Sequence, residues 1–143
     1  MGVQVAKPGS KVIALHGDAS FGMAAGELET AVRCDLPIVF INFQNFAYGW
    51  IKTIQKLYFD ETYFAVDFGK SLDVEKVAQG FGLKAKTIHS NDGVEDGLNW
   101  ALQQKGPVML NLMIEPPTKT VPPVLKWEKD AAKPAGKRVK LTY

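Results

Sequence analysis

The sequence predicts an α/β chain with helices on both faces of a mostly parallel sheet, and three observations predict it. Short apolar runs rich in β-formers alternate with stretches of helical period. Each apolar run is bounded by glycine, proline or a polar cluster, as buried strands are. The length of 143 residues and the 46% hydrophobic content suit one globular domain with a real core.

The first strand is Val12-Ile13-Ala14-Leu15, between Gly9-Ser10 and Gly17. Ala24, Leu28, Ala31 and Val32 then recur at i, i+4, i+7 and i+8, which predicts one helix with a single buried face. Pro37 blocks its continuation, and Ile38-Val39-Phe40-Ile41 is the second strand. After Gly49, the residues Trp50, Ile54, Leu57 and Tyr58 share a helical face, and residues 60–68 read as a loop. Asp73 can cap a helix carrying Val74, Val77, Ala78 and Phe81, with Gly82 as its stop. Residues 85–88 form a third strand, and Asn91 or Asp92 can cap a helix that turns Val94, Leu98, Ala101 and Leu102 inward. Gly106-Pro107 ends it before the strand at residues 108–114. The expected order is therefore β-α-β-α-α-β-α-β. Its crossovers are right-handed, and ligands of such sheets bind beyond the carboxyl ends of the strands.

After Glu115 the composition changes to Pro116, Pro117, Pro122, Pro123 and Pro134 among lysines, which reads as an irregular extension. The expected division is an α/β domain over 1–115 and a Pro/Lys-rich tail over 116–143. The net charge of +2 hides an asymmetry: the tail from Pro117 onward carries +5, and the preceding residues −3. A basic tail suits a phosphate-bearing partner. A nucleic-acid role is not expected, because no zinc-ligand spacing, RNA-binding aromatic pair or helix-turn-helix pattern accompanies it. The single cysteine, Cys34, excludes an internal disulfide and reads as a small core hydrophobe. No membrane role is expected, since no apolar run approaches 18 residues, and a cytoplasmic location is the default.

Two short segments carry the chemistry. Gly17-Asp18-Ala19-Ser20-Phe21 follows the first strand, and Asn42-Phe43-Gln44-Asn45-Phe46-Ala47-Tyr48-Gly49 follows the second. Gly17 permits a tight turn, while Ala19 and Ser20 offer amides and a hydroxyl to an anion at a helix start. A carboxylate there repels phosphate unless a cation intervenes. With Mg²⁺, Asp18 becomes the bridge, Asn45 adds a neutral oxygen and the main-chain carbonyl near Ala47 a third. The plainer alternative is that Asp18 caps a helix and Asn45 makes a turn. His16 faces either a ligand or the core, and Trp50, Ile54 and Tyr58 line either a pocket or the core. His89 belongs to a surface loop.

These segments resemble the thiamine diphosphate motif of the acetolactate synthase and 2-oxoacid decarboxylase superfamily, Gly-Asp-Gly/Ala-Ser followed about 25 residues later by an Asn pair. The resemblance extends over Glu27-Leu28, Leu36-Pro37, Tyr48-Gly49-Trp50 and residues 77–82. It implies that Asp18, Asn45 and the Ala47 carbonyl bind Mg²⁺. It further implies that Gly17, Ala19, Ser20, Tyr48, Gly49 and Trp50 line the diphosphate and the start of the thiazolium. Two departures stand out: Gln44 replaces the first Asn of the pair, and Ala47 occupies a usually polar position.

Members of that superfamily are several times longer, and this chain matches only the later part of their third domain. Residues 2–7 resemble the end of a helix whose start and preceding strand lie upstream, so the sheet is expected to be incomplete with one edge exposed. The glutamate that activates the cofactor has no match here. The resemblance thus implies a small subunit or fragment, inactive alone. A larger subunit would supply the pyrimidine-binding domain, the rest of the diphosphate domain and that glutamate, in a hetero-oligomer built on dimers. The implied chemistry is C–C bond cleavage or formation on a 2-oxoacid or acyl-CoA type substrate, and the basic tail favours a CoA contact. The competing reading is a non-catalytic nucleotide-binding or regulatory α/β module, although no Gly-x-Gly-x-x-Gly fingerprint is present. Trp127 is expected to anchor the tail as a lid.

Overall fold

The computed structural model describes residues 1–70, 72–116, 118–119 and 122–134. Tail residues Lys137, Arg138 and Lys140 lie outside them. The chain divides into two units, Met1–Gln44 with Leu72–Ile114, and Asn45–Ser71 with Glu115–Tyr143.

The first unit contains helix α1 (Gly2–Ala6), strand β1 (Val12–Gly17), helices α2 (Asp18–Ala24) and α3 (Glu27–Arg33), and strand β2 (Ile38–Gln44). The second unit supplies α4 (Gly49–Tyr58) before the chain returns to the first with α5 (Val74–Gly80), β3 (Lys84–Ile88), α6 (Val94–Leu102) and β4 (Val108–Met113). Helix α7 (Leu125–Ala131) belongs to the second unit. The four strands are all parallel and run in the order β1-β2-β4-β3.

Alternation along the strands sends side chains to two cores. Phe21, Leu28, Ala31, Val74 and Ala78, from α2, α3 and α5, pack with Ile38, Phe40 and Met109 of the sheet. On the opposite face, Leu98, Trp100 and Ala101 of α6 pack with Val39, Ile41, Val108, Leu110 and Leu112. This unit therefore has the expected α/β/α layering. Strand β1 is an edge: Val12 and Ala14 meet the first core, while Ile13 and Leu15 stay 47% and 66% exposed on the other face. Among the described residues no element covers them, in line with a sheet that is not closed on this side.

Several local signals act as the sequence predicts. The Asp73 carboxylate accepts from Lys76 N at 3.0 Å and caps α5. Gly82 takes φ +92°, so Gly82 N reaches Gln79 O and Leu83 N reaches Ala78 O, the paired bonds of a Schellman stop.

Four local readings are corrected. The single helix expected after β1 is divided at Ala25-Gly26, where glycine weakens the helix although both residues keep right-handed helical angles. Neither Asn91 nor Asp92 caps α6; they form a 3₁₀ turn with Gly93 that leads into it without a side-chain cap. Cys34 is exposed rather than core, because α3 ends at Arg33 and leaves it at the surface. The tail is not wholly irregular: α7 forms because it has a partner in its own unit. Tyr58 of α4 donates its hydroxyl to Asp130 Oδ2 at 2.7 Å, and the Trp50 and Trp127 rings lie 5.0 Å apart.

Helix α4 buries Leu57 and Tyr58 of the apolar stripe and half-buries Ile54, but it also buries the polar Thr53 and Gln55. Thr53, Gln55, Leu57 and Tyr58 are buried, whereas Trp50 is 61% exposed. Thr53 Oγ1 returns to Gly49 O, and Gln55 bonds the Phe64 main chain through both its oxygen and its nitrogen. Those bonds satisfy the buried polar groups and pin the following loop.

Candidate functional site

The predicted site residues fall into two groups, one in each unit. Gly17, Asp18, Ala19 and Ser20 form the passage from β1 into α2. Gly17 is extended at φ −110° and stands at the N-cap without a capping side chain, and Asp18 is the first helical residue. The first turn of a helix has main-chain N–H groups without intrahelical acceptors, and an acidic first residue complements the helix dipole.

Asn45, Ala47, Tyr48, Gly49 and Trp50 lie in the turn that enters α4. Asn45 Oδ1 accepts from Ala47 N at 3.1 Å, an Asx turn that forces the chain through Phe46 at φ +58°. A bulky residue in the left-handed region costs of order 1–3 kcal/mol, so the turn must be held from outside. It is held by an antiparallel bridge between Ala47 and Asp67, whose bonds are Tyr48 N to Val66 O and Phe68 N to Phe46 O. Ala47's own carbonyl takes no part in that pair of bonds. The Tyr48 ring meets Phe68 edge-on at 4.7 Å, and Lys52 pairs with Asp67 one turn into α4.

Within the first unit stands a feature that sequence reasoning missed. His16, Asn42, Asn111 and Thr87 occupy one register row across all four strands, near the carboxyl ends. His16 Nδ1 lies 3.2 Å from Asn42 Oδ1. Asn42 Nδ2 donates to Asn111 Oδ1 at 2.8 Å, Asn111 Nδ2 donates to Gln44 Oε1 at 2.7 Å, and Gln44 Nε2 donates to Leu72 O at 3.0 Å. Thr87 Oγ1 is 3.5 Å from Asn111 Nδ2. The three amides are buried, and burial holds the half-buried His16 below its usual range, partly opposed by the Asn42 bond, so its ring is neutral at pH 7. The signal was available, since a lone amide inside an apolar parallel strand must find a buried partner. Gln44 also acquires a reason: its longer side chain spans from Asn111 to the Leu72 carbonyl.

His89 is exposed in a loop, as predicted. Among the described residues no three His, Cys, Asp or Glu side chains gather as a metal cluster. The predicted ligand set does not need one, because Asn45 and a main-chain carbonyl are two of its three members. No helix among the described residues is long and apolar enough to cross a membrane.

A parallel sheet with Gly-Asp after one strand and an Asn turn after the next defines a class of cofactor-binding domain, and comparison with known proteins identifies it. The chain belongs to the thiamine pyrophosphate enzymes, in the C-terminal TPP-binding domain family, which it matches over residues 1–112. It is 34% identical over 128 residues to a probable acetolactate synthase large subunit of Methanococcus aeolicus, covering 88% of this chain and 21% of that protein. It is 36% identical over 115 residues to the acetolactate synthase of Bacillus subtilis, covering 80% and 20%. A thiamine diphosphate-dependent 4-hydroxybenzoylformate decarboxylase from Rhodococcus jostii RHA1 shares the fold with a TM-score of 0.73 at 23% identity, over 80% of this chain and 21% of that one. The chain thus spans about a fifth of the length of these relatives.

Proposed function

We propose that this chain anchors the diphosphate of thiamine diphosphate through Mg²⁺, as a component of a thiamine diphosphate-dependent lyase or carboligase. The observation that carries the reading is the turn into α4. Asn45 is locked by its bond to Ala47 N, Phe46 is held left-handed, and the Ala47 carbonyl is left out of the adjoining bridge. A strained turn held by bonds outside itself is characteristic of a ligand clamp.

The donor set fits Mg²⁺ in kind. The Asp18 carboxylate, the Asn45 amide oxygen and the Ala47 carbonyl are all hard oxygens. In this reading Asp18 supplies the charge that makes a diphosphate tolerable there. Gly17, Ala19 and Ser20 present main-chain N–H groups and a hydroxyl to phosphate oxygens, while Tyr48, Gly49 and Trp50 flank the path toward the thiazolium. When bound, the cofactor supplies the electron sink for C–C bond cleavage or formation. The protein's part is to bind, orient and shield it.

The same reading assigns residues 1–115 to the cofactor domain and 116–143 to a tail that closes over its mouth, anchored where Trp127 meets Trp50. The substrate class is a 2-oxoacid or an acyl-CoA type ester, with acetolactate synthase-like chemistry supported by the relatives' names. A 2-hydroxyacyl-CoA lyase-like reaction is the other form, in which the tail lysines would meet a CoA phosphate. A larger partner carrying the pyrimidine-binding domain and the activating glutamate completes a cytoplasmic hetero-oligomer, and this chain is inactive without it.

The test is equilibrium binding of thiamine diphosphate by the assembled protein with and without Mg²⁺. Binding should require the metal and be abolished by Asp18→Ala. Metal-independent binding, or an unaffected variant, would overturn the proposal.

A further inference from the structure

Gln44 occupies the position where the sequence departs from the Asn pair, and it is tied down more fully than a buried strand end requires. It is the last residue of β2, is 4% exposed, and bonds two other stretches of chain. Its side-chain oxygen accepts from Asn111 Nδ2 of β4 at 2.7 Å, and its Nε2 donates to Leu72 O, ahead of α5, at 3.0 Å. Its main-chain carbonyl accepts from Ile114 N, just past β4, at 2.9 Å. Gln44, Leu72 and Ile114 are the residues at which the chain leaves, re-enters and again leaves the first unit.

The Leu72 carbonyl can only accept, so Gln44 must present its NH₂ there and its oxygen to Asn111. Asn111 then turns its oxygen to Asn42, and the whole amide row takes one direction. Side-chain length decides whether this works. Leu72 and Asn111 are bonded by the two arms of one amide, and asparagine, one carbon shorter, cannot hold both in their present places. An apolar residue would cost less to bury here, and an asparagine less to immobilise.

A peptide group is planar, so the bond from Ile114 N to the Gln44 carbonyl also fixes the plane that carries Asn45 N. With both arms of the side chain tied as well, the residue before Asn45 has no freedom to rotate. The turn that follows needs a fixed start. Asn45 Oδ1 folds back onto Ala47 N, Phe46 is forced left-handed, and the Ala47–Asp67 bridge holds only the later side of the turn.

We infer, resting on the Mg²⁺ reading above, that Gln44 is a positioning residue for Asn45. By fixing the peptide that enters the turn, it keeps the Asn45 amide oxygen in place for Mg²⁺, and so lowers the Mg²⁺ concentration at which thiamine diphosphate binds. Gln44 itself stays outside the proposed ligand set.

Titration calorimetry of thiamine diphosphate into the assembled protein, repeated over a series of Mg²⁺ concentrations, yields the half-saturating Mg²⁺ for each variant. Gln44→Asn should raise it roughly 3- to 10-fold, the range of one net hydrogen bond. Gln44→Met keeps the length but makes neither bond, and should raise it at least as far. Cofactor affinity at saturating Mg²⁺ should stay nearly unchanged, because the phosphate-facing residues are untouched. Gly82→Ala is the control for lost stability alone, and should leave the half-saturating Mg²⁺ where it was. An unaltered Mg²⁺ response in the Gln44 variants, or an equal rise in Gly82→Ala, would overturn the positioning role while leaving the Mg²⁺ reading intact. Metal-dependent binding that survives Asp18→Ala would overturn both. If Gln44→Met does not assemble, Gln44→Asn, which keeps an amide at the site, carries the decision.

Discussion

Replacing Asn111 with leucine is the sharpest perturbation the sheet offers. Leucine keeps the branched shape of asparagine but is bulkier, so some overpacking adds to the lost hydrogen bonding at this buried site. It strips the Asn42 NH₂ of its acceptor and the Gln44 oxygen of its donor at sites 0% and 4% exposed, where water cannot replace them. A buried polar group left unpaired costs about 1–3 kcal/mol, so two orphans amount to about 2–6 kcal/mol. Against a typical domain stability of about 5–15 kcal/mol, that is enough to lower a denaturation midpoint severely. Urea unfolding of the assembled protein, followed by near-ultraviolet circular dichroism, measures it. The diagnostic comparison is the double variant Asn42→Leu/Asn111→Leu. The double variant spares two orphans of the summed singles, the Asn42 NH₂ and the Asn111 oxygen, so the double loss should fall well short of that sum. A loss below about 1 kcal/mol for Asn111→Leu, or strict additivity in the cycle, would refute the directed row.

Other consequences follow from particular residues. Gly82→Ala should destabilise by about 1–2 kcal/mol through its left-handed backbone alone, because the new methyl meets only Val32 Cγ1 at an ordinary 3.5 Å; an unchanged melting temperature would contradict this. Lys133 and then Tyr58 hold the Asp130 carboxyl below its usual range, with burial opposing them. Its pairing therefore stabilises the docking of α7 above the unfolded-state value near 3.8, and that contribution is lost as pH falls through the lower folded value. The Trp127 indole resonance, tracked down an acid titration, should hold its docked position past the ordinary aspartate range, and earlier release would count against the clasp. At the other extreme, burial followed by the Asp130 bond pushes the Tyr58 phenol up to about 12, so Tyr58→Phe should remove the phenol's share of any loosening of α7 in strong alkali, read on the same Trp127 resonance. Deleting residues 117–143 should change substrate KM or kcat in the assembled enzyme, and identical kinetics would dismiss the tail as a lid.

Much of the fold was legible because its signals are local. Apolar runs marked all four strands, and the cap at Asp73 and the stop at Gly82 needed only their own neighbours. The two candidate segments were legible for the same reason, since Gly17-Asp18 and Asn45 occupy strand ends whatever packs around them. For two elements the deciding partner lay outside the element itself. The buried face of α4 takes in Gln55 beside Leu57 and Tyr58 because that amide is claimed by the Phe64 main chain. Helix α7 exists among prolines and lysines because Asp130 finds a hydroxyl 72 residues away.

The sequence by itself determined a parallel α/β domain, since strand periodicity and glycine positions are properties of the chain, and its motifs around Asp18 and Asn45 carried the resemblance to the thiamine pyrophosphate enzymes. Only the tertiary structure decided the direction of the amide row. A hydrogen bond's polarity is settled by what stands at its far end, and here that is the carbonyl of Leu72, on the segment that follows a 27-residue excursion of the chain through the other unit.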